Sequence, residues 1–291
     1  MLQADYPALF LSADQASNGY QRFFLRLIKA EYTALILAAL FSMSFLNGVG
    51  YYLAYAAVLF IGLIILLTRA LRKPEQDWYR CRALAESVKT LTWRYVMHAA
   101  PFQGSTVGEQ HAKSEFRNQL HSVFGENRSI AEKITSDWSG NDQITAGMDS
   151  IRRMPRAERM TYYIENRVDE QRTWYARKAG QNKKSANFWV FVSVITYTIA
   201  TGLALSRIAF PAWQYWPIEP LIVVAACVVG WTQIKKYNEL AAAYTVAAHE
   251  IGLIKPRADA ITNNDEFSEF VNDAEKAFSR EHTLWIARQS D

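Results

Sequence analysis

The stretch RVDEQRTWYARKAGQNKKSANFWVFVSVITYTIATGLAL, Arg167 to Leu205, decides the architecture. Its first half is charged and amphipathic, and its second half is apolar. No Pro interrupts it, so both halves can lie in one helix. A helix written half for water and half for lipid carries a membrane boundary inside one rod. Lys183 and Lys184 stand where the composition changes and mark the polar side. If this helix starts near Pro155 and runs to Leu205, it is about 75 Å long at 1.5 Å per residue. Only about 30 Å of that is needed to cross hydrocarbon.

Working outward, three more apolar runs appear. Tyr32–Leu46 is followed by the turn signal Asn47-Gly48 and then by Tyr51–Thr68. Beyond the third run, Phe188–Leu205, lies Leu221–Trp231, which extends backward to Pro217, a residue suited to a first helical position. The expected spans are therefore about 31–47, 51–68, 188–206 and 217–234, arranged as two helical hairpins. Hydrophobic residues make up 50% of the chain. Its mean hydropathy is nevertheless only −0.11, so the apolar residues are concentrated in blocks. No cleavable leader is expected, because the first apolar run begins behind Arg22, Arg26 and Lys29.

Lys and Arg give the orientation. Arg22, Arg26 and Lys29 precede the first run, and Arg69, Arg72 and Lys73 follow the second. Lys178, Lys183 and Lys184 precede the third, and Lys235 and Lys236 follow the fourth. The first turn has no basic residue and the second loop has only Arg207. The positive-inside rule then puts both turns outside, and the N-terminus, the middle segment and the C-terminus in the cytoplasm. The second loop also holds Trp213, Tyr215 and Trp216, residues suited to the headgroup level.

The polar segments read as helices. In the segment after the second run, Trp78, Cys81, Ala85, Val88, Thr92 and Tyr95 recur at spacings of three and four. Near the C-terminus, Phe267, Phe270, Val271, Ala274, Phe278 and Trp285 do the same. No segment alternates as a strand would, so the fold class is all-α integral membrane, with long helices extending into a cytoplasmic helical bundle. A weak repeat supports two copies of one unit. Asp14 and Tyr20 precede the first hairpin with the spacing of Asp169 and Tyr175 before the second, and Glu86 and Glu250 follow the two hairpins. The division expected is a first unit over 1–110, a helical connector over 111–154 and a second unit over 155–291.

The search for chemistry returns little. None of the five histidines forms an HxxxH or HExxH pair, and no GxGxxG, GxxxxGK[ST] or GxSxG motif is present. No enzyme activity and no cofactor or metal are expected. The net charge of +4 gives no dense basic stripe, so no nucleic-acid partner is expected. Cys81 and Cys227 read as small buried hydrophobes. Hydroxyl and amide side chains in the apolar runs offer two readings: helix–helix packing, or the lining of a polar pathway in an oligomer. The candidates for such a lining are Ser42, Ser44, Asn47, Ser193, Thr196 and Thr201.

The pattern Asp169, Gln171, Trp174, Tyr175, Lys178, Ala179 and Asn182 before the second hairpin resembles the SLATT family of bacterial membrane effectors. Tyr237, Ala247, Glu250, Phe278, Arg280, Glu281 and Trp285 after it continue the resemblance. The first half matches through Glu86, Lys89, Trp93, Arg94, Tyr95, Pro101 and Phe102, although no Trp precedes Tyr20. The resemblance implies two tandem SLATT units in the inner membrane of a bacterium. It implies an effector of an anti-phage or conflict system that oligomerises and opens a pore in the lipid bilayer. The trigger would be a nucleotide second messenger or a cytoplasmic sensor protein. The alternative is a non-conducting membrane scaffold or sensor that recruits a cytoplasmic partner.

Overall fold

The computed structural model describes residues 1, 3–103, 108–134, 137 and 139–290, without the side chains of Gln3, Ser129 and 280–290. Every regular element among the described residues is helical. In chain order the α-helices are α1 (Ala8–Phe41), α2 (Val49–Arg72), α3 (Pro74–Val96), α4 (Glu109–Glu126), α5 (Ala146–Arg152), α6 (Arg156–Tyr163), α7 (Glu170–Ala209), α8 (Ile218–Lys235), α9 (Tyr237–Ile254) and α10 (Asn264–Ser290). A π-helical turn, Ile164–Asp169, joins α6 to α7. The long helix expected from Pro155 onward is therefore continuous to Ala209, with one π turn inside it.

Local chemistry sets the boundaries. Lys73 takes a left-handed conformation, φ 43°, that ends α2, and Pro74 opens α3, where its missing N–H costs nothing. Lys236, φ 47°, separates α8 from α9 in the same way. The Thr145 hydroxyl caps α5 by accepting from the Met148 N–H at 3.2 Å. At the start of α10, Asn263 accepts from the Glu266 N–H at 2.9 Å, and the Glu266 carboxylate accepts in turn from the Thr262 N–H at 2.6 Å.

The chain divides into two compact units, and the division does not follow the tandem order. Unit 1 collects Met1–Gln21, Glu75–Lys178 and Ala243–Asp291; unit 2 collects Arg22–Pro74 and Ala179–Ala242. Each unit therefore takes segments from both halves of the sequence. Unit 1 has a closed apolar core. Trp93, Tyr95, Phe102, Phe116, Tyr163 and Phe267 are fully buried in it. The stripes read from the sequence hold: Cys81, Ala85, Val88, Thr92 and Tyr95 of α3 are buried, as are Phe267, Phe270, Val271, Ala274 and Phe278 of α10.

Unit 2 has the opposite character. Among the described residues three helices are long and apolar enough to cross a membrane, with best stretches in 49–96, 156–209 and 218–260 at mean hydropathies of 2.3, 1.8 and 1.4. Helix α2 has no buried residue at all. Leu53, Phe60, Leu63 and Leu67 on it, and Phe188, Phe191 and Val194 on α7, are exposed. A water-facing surface of this kind would be unstable, whereas lipid tails solvate it at no cost.

Helix α1 ends short of the bound expected for the first span, 31–47. α1 stops at Phe41, and its last turn is closed by the Ser42 hydroxyl donating to the Ala39 carbonyl at 2.8 Å and by the Tyr51 hydroxyl donating to the Phe41 carbonyl. Ser44 follows in a left-handed conformation, φ 52°. Only Tyr32–Phe41 remains uncharged and helical, because Arg26, Lys29 and Glu31 lie just before it. Ten such residues rise about 15 Å, half of the hydrocarbon thickness, so a crossing by α1 has to include the preceding helical turns, where Glu31 is paired with Arg69. Against α2, Glu31 meets Arg69 at 3.1 Å and the Phe41 ring stacks on Tyr55 at 5.9 Å.

Gly230 on α8 faces Tyr32 of α1. A Cβ there would lie 2.4 Å from the Tyr32 hydroxyl and 3.2 Å from its ring. Gly230→Ala should therefore destabilise the detergent-solubilised full chain by about 1–3 kcal/mol, the usual cost of overpacking. Tyr32→Phe in the same chain should restore most of the loss, because it removes the nearest atom. Thermal unfolding of the two single variants and the double variant measures this coupling; additive effects would mean the helices part rather than clash.

Candidate functional site

The centre of unit 1 is a charge pair out of reach of water. Arg167 lies on the π-helical turn and Glu275 on α10; their side chains are 4% and 1% exposed. The guanidinium donates twice, from Nε at 2.8 Å and from Nη2 at 2.7 Å, one bond to each carboxylate oxygen. The Tyr163 hydroxyl donates to the first oxygen at 3.0 Å and the Thr90 hydroxyl to the second at 3.2 Å. The carboxylate thus accepts four bonds from three segments. The guanidinium also lies over the rings of Phe278 and Trp93, 5.0 and 5.9 Å from their centroids. Trp93 Nε1 in turn donates to the Tyr6 hydroxyl at 3.0 Å.

Two charges removed from water cost several kcal/mol each, which a single contact does not recover. Here the carboxylate is fully satisfied and the pairing is bidentate, the strongest geometry open to it. Burial by itself would favour loss of the Arg167 proton, but the Glu275 carboxylate reverses this and holds the group above its ordinary range. Burial and the same carboxylate push the Tyr163 hydroxyl well up, so it stays a donor. The cluster can lock α3, α6 and α10 in one register. It offers no nucleophile and no proton in transit.

A second buried group lies where α5 and α6 meet the end of α3. Arg152 donates to the carbonyls of Tyr95 and Phe102, contacts the Glu109 carboxylate at 3.3 Å, and covers the Tyr95 ring at 4.4 Å. Arg159 donates to the carbonyls of Arg152 and Met154, both at 3.2 Å. His98, at φ 56°, has its Nε2 2.9 Å from the Arg152 carbonyl. Burial first, then the positive charges of Arg152 and Arg159, lowers His98 to about 4. The Nε2–H of the neutral ring is then the donor to that carbonyl.

The residues singled out from the sequence fall into distinct places. Glu86 bonds Arg82 at 2.7 Å and Lys89 at 3.3 Å on α3, and Lys89 Nζ lies 5.7 Å from the Phe10 ring centroid. Trp93 joins the Arg167–Glu275 cluster. Trp174 and Tyr175 meet Tyr244 of α9 at 5.4 and 5.6 Å, and Asp169 pairs with Lys255 at 2.8 Å. Gln171, Asn182 and Glu250 are half-buried. Arg280, Glu281 and Trp285 lie on α10 beyond the last described side chain.

The hydroxyl candidates that form bonds form them within their own helix or turn. Ser193 and Thr196 donate to the carbonyls of Trp189 and Val192, each four residues back, at 3.0 and 2.8 Å. Ser42 and Ser44 donate within the turn after α1, and Asn47 and Thr201 are exposed. Sequence reasoning missed Tyr163, Arg167, Glu275, Arg152 and Arg159 as buried groups. The available signal was Tyr163 and Arg167 four apart with Glu275 inside the Phe270–Phe278 stripe.

Comparison with known families gives these contacts their context. Residues 7–160 match the family model of SMODS and SLOG-associating 2TM effector domain 3. Residues 163–285 match that of SMODS and SLOG-associating 2TM effector domain 1. No curated protein and no solved structure matches the chain. Two such domains in succession, with three helices among the described residues long and apolar enough to cross a membrane, define a membrane protein built from effector domains. The chain belongs to the SLATT family and contains two tandem SLATT units. Glu275 and Arg167 come from the second match, Thr90 and Trp93 from the first, so the buried cluster ties the two units together.

Removing one partner of this pair strands a buried charge. Arg167→Met or Glu275→Leu alone should each destabilise the full chain by about 3–5 kcal/mol, while the double variant should recover much of that loss. Chemical denaturation in detergent, followed by near-UV circular dichroism of the unit 1 aromatics, gives the three values.

His98 supplies a pH dependence with a definite sign. Its folded pKa lies below the ordinary 6.5, at about 4, so the unfolded chain takes up the proton first. Its contribution is present above pH 6.5 and is lost as pH falls toward 4. The unfolding midpoint of the native chain should drop across that window. In His98→Asn, a residue that tolerates the left-handed backbone, the drop should be smaller; an unchanged pH profile would assign the dependence to other groups.

Proposed function

We propose that the chain is an effector of a bacterial conflict or anti-phage system that oligomerises in the inner membrane and opens a pore on a cytoplasmic signal. The observation that carries this reading is α2, a helix of mean hydropathy 2.3 that buries no residue against its own chain. A helix so exposed is left for lipid or for a second copy, and family membership supports an effector role. The contacts of α1 with α2 and of α7 with α8, through Trp189 and Trp231 at 6.4 Å, support two hairpins whose turns face outward. The N- and C-termini are then cytoplasmic, as the basic flanks require.

The signal would be a nucleotide second messenger or a sensor protein acting on unit 1. A ligand of unit 1 changes the spans only if it binds two packings of that unit unequally. Helices α1 and α7 each hold residues of both units, so such a change has a covalent route to the spans. No catalytic step is proposed.

A second reading, a non-conducting scaffold that recruits a cytoplasmic partner, has one observation in its favour. Ser193, Thr196 and Thr198 each spend their hydroxyl hydrogen on their own backbone. The two readings separate in liposomes holding the full chain and a potassium-sensitive dye. Under a panel of cyclic and linear nucleotides a pore should release potassium at one signal, whereas the scaffold never does. Failure of every nucleotide, together with full protective activity of a chain whose spans are replaced by an unrelated anchor, would overturn the pore.

A further inference from the structure

Arg159 of α6 is 7% exposed, yet its guanidinium is committed on one side only. Nη1 donates to the carbonyls of Arg152 and Met154, both at 3.2 Å, which pins the group beside the first turn of α6. The other edge, Nε with Nη2, is the one through which Arg167 grips Glu275. In Arg159 that edge is unused. Its Nε is buried without a partner, and nothing among the described residues accepts from Nη2.

The charge is unanswered as well. Among the described residues no carboxylate lies within ion-pair distance of Arg159. Glu109 is taken by Arg152 at 3.3 Å, and Asp149 by Lys113 at 2.7 Å and Arg153 at 3.9 Å. Glu158 is exposed and points about 100° away around α6. Burial first, and then the Arg152 charge, lower the pKa of Arg159, with no carboxylate to offset them. A guanidinium keeps its proton in a protein, so a buried one without a counter-ion is costly until an anion reaches it.

Two further features favour an anion at this end of α6. Arg156 stands three residues before Arg159, so their Cβ atoms are neighbours about 5–6 Å apart on the helix surface. Arg156 also makes no ion pair among the described residues. No side chain caps α6, so its first N–H groups are open at the end where Arg159 is pinned. The segment 149–159, with Glu109 and Lys113 bonded to it, holds five cations against three carboxylates. The excess matches a phosphate dianion, whose oxygens suit the guanidinium fork.

We propose that Arg159 and Arg156, at the start of α6, bind a phosphate group, free or at the end of a monoester. The site rests on the geometry of unit 1 and not on conduction, so it stands or falls apart from the pore.

The test uses the full chain in a neutral detergent at fixed ionic strength, titrated calorimetrically with inorganic phosphate, adenosine 5′-monophosphate or adenosine. The native chain should bind a phosphate-bearing probe and not adenosine. Inorganic phosphate binding as tightly as the nucleotide assigns the site to the free ion, and tighter nucleotide binding assigns it to a monoester. Arg159→Lys keeps the charge but loses the fork, and should weaken binding about tenfold. Arg156→Gln, at a half-buried position with no ion pair to break, should weaken it about fivefold. Arg153→Gln removes an exposed charge from the same segment and should leave binding near native. Near-UV circular dichroism shows that each variant keeps the packing of unit 1. Absence of binding by either phosphate probe at millimolar concentration, or equal losses in Arg156→Gln and Arg153→Gln, would overturn the proposal. So would adenosine binding as tightly as its monophosphate.

Discussion

The desolvated Glu275 carboxylate sets the terms for unit 1. A buried carboxylate must find donors in every direction its lone pairs point. From its place on α10 it finds them on two stretches far away in sequence, Thr90 of α3 and Tyr163 with Arg167 at the start of the long helix. Those elements cannot shift singly without leaving a donor or a charge unanswered. Apolar residues around them, such as Phe267, Phe270 and Phe278, supply most of the gain from burial but would tolerate sliding. The polar cluster selects one arrangement out of many that an apolar core would accept. It also fuses the two SLATT units, since neither contains all the donors that the carboxylate needs.

Unit 2 obeys a different rule because its solvent is different. Lipid leaves no hydrophobic force between its helices, and close approach has to come from small residues and fitted side chains. Gly230 against Tyr32 is an approach of that kind, and at Gly62 an added Cβ would lie 3.7 Å from that of Ala34. The hydroxyls of Thr68, Ser193, Thr196 and Thr198 turn back to their own carbonyls, which removes an exposed donor at little cost. Charge is divided along with solvent. The eleven cations and three anions of unit 2 leave unit 1 with more acidic than basic side chains.

Much of this was legible in the sequence. The runs of α2, α7 and α8 announce themselves through length and lack of charge, and the three-four stripes of α3 and α10 give the buried faces of unit 1 correctly. The early end of α1 was not legible. Residues 42–46 are as free of charge as the run before them, and only the Ser42 and Ser44 backbone geometry shows that the helix has closed. The division into units was hidden too. A repeat in sequence suggests two bodies in succession, whereas burial sorts the segments by solvent. Arg152, Arg159, Arg167 and Glu275 escaped for a simpler reason. On a polar helix a charge reads as part of the wet face, and only tertiary partners reveal one that faces inward.

The π-helical turn at Ile164–Asp169 has a consequence for phase. Each residue advances an α-helix by 100°, and a π turn takes up one residue more than an α turn without breaking the chain of bonds. The next residues, up to Lys178, are therefore rotated by about 100° relative to an unbroken helix from Arg156. That offset lets Arg167 point at Glu275 while Trp174 and Tyr175 turn to Tyr244. One inserted residue thus decides which sides of the helix within unit 1 meet α10 and α9.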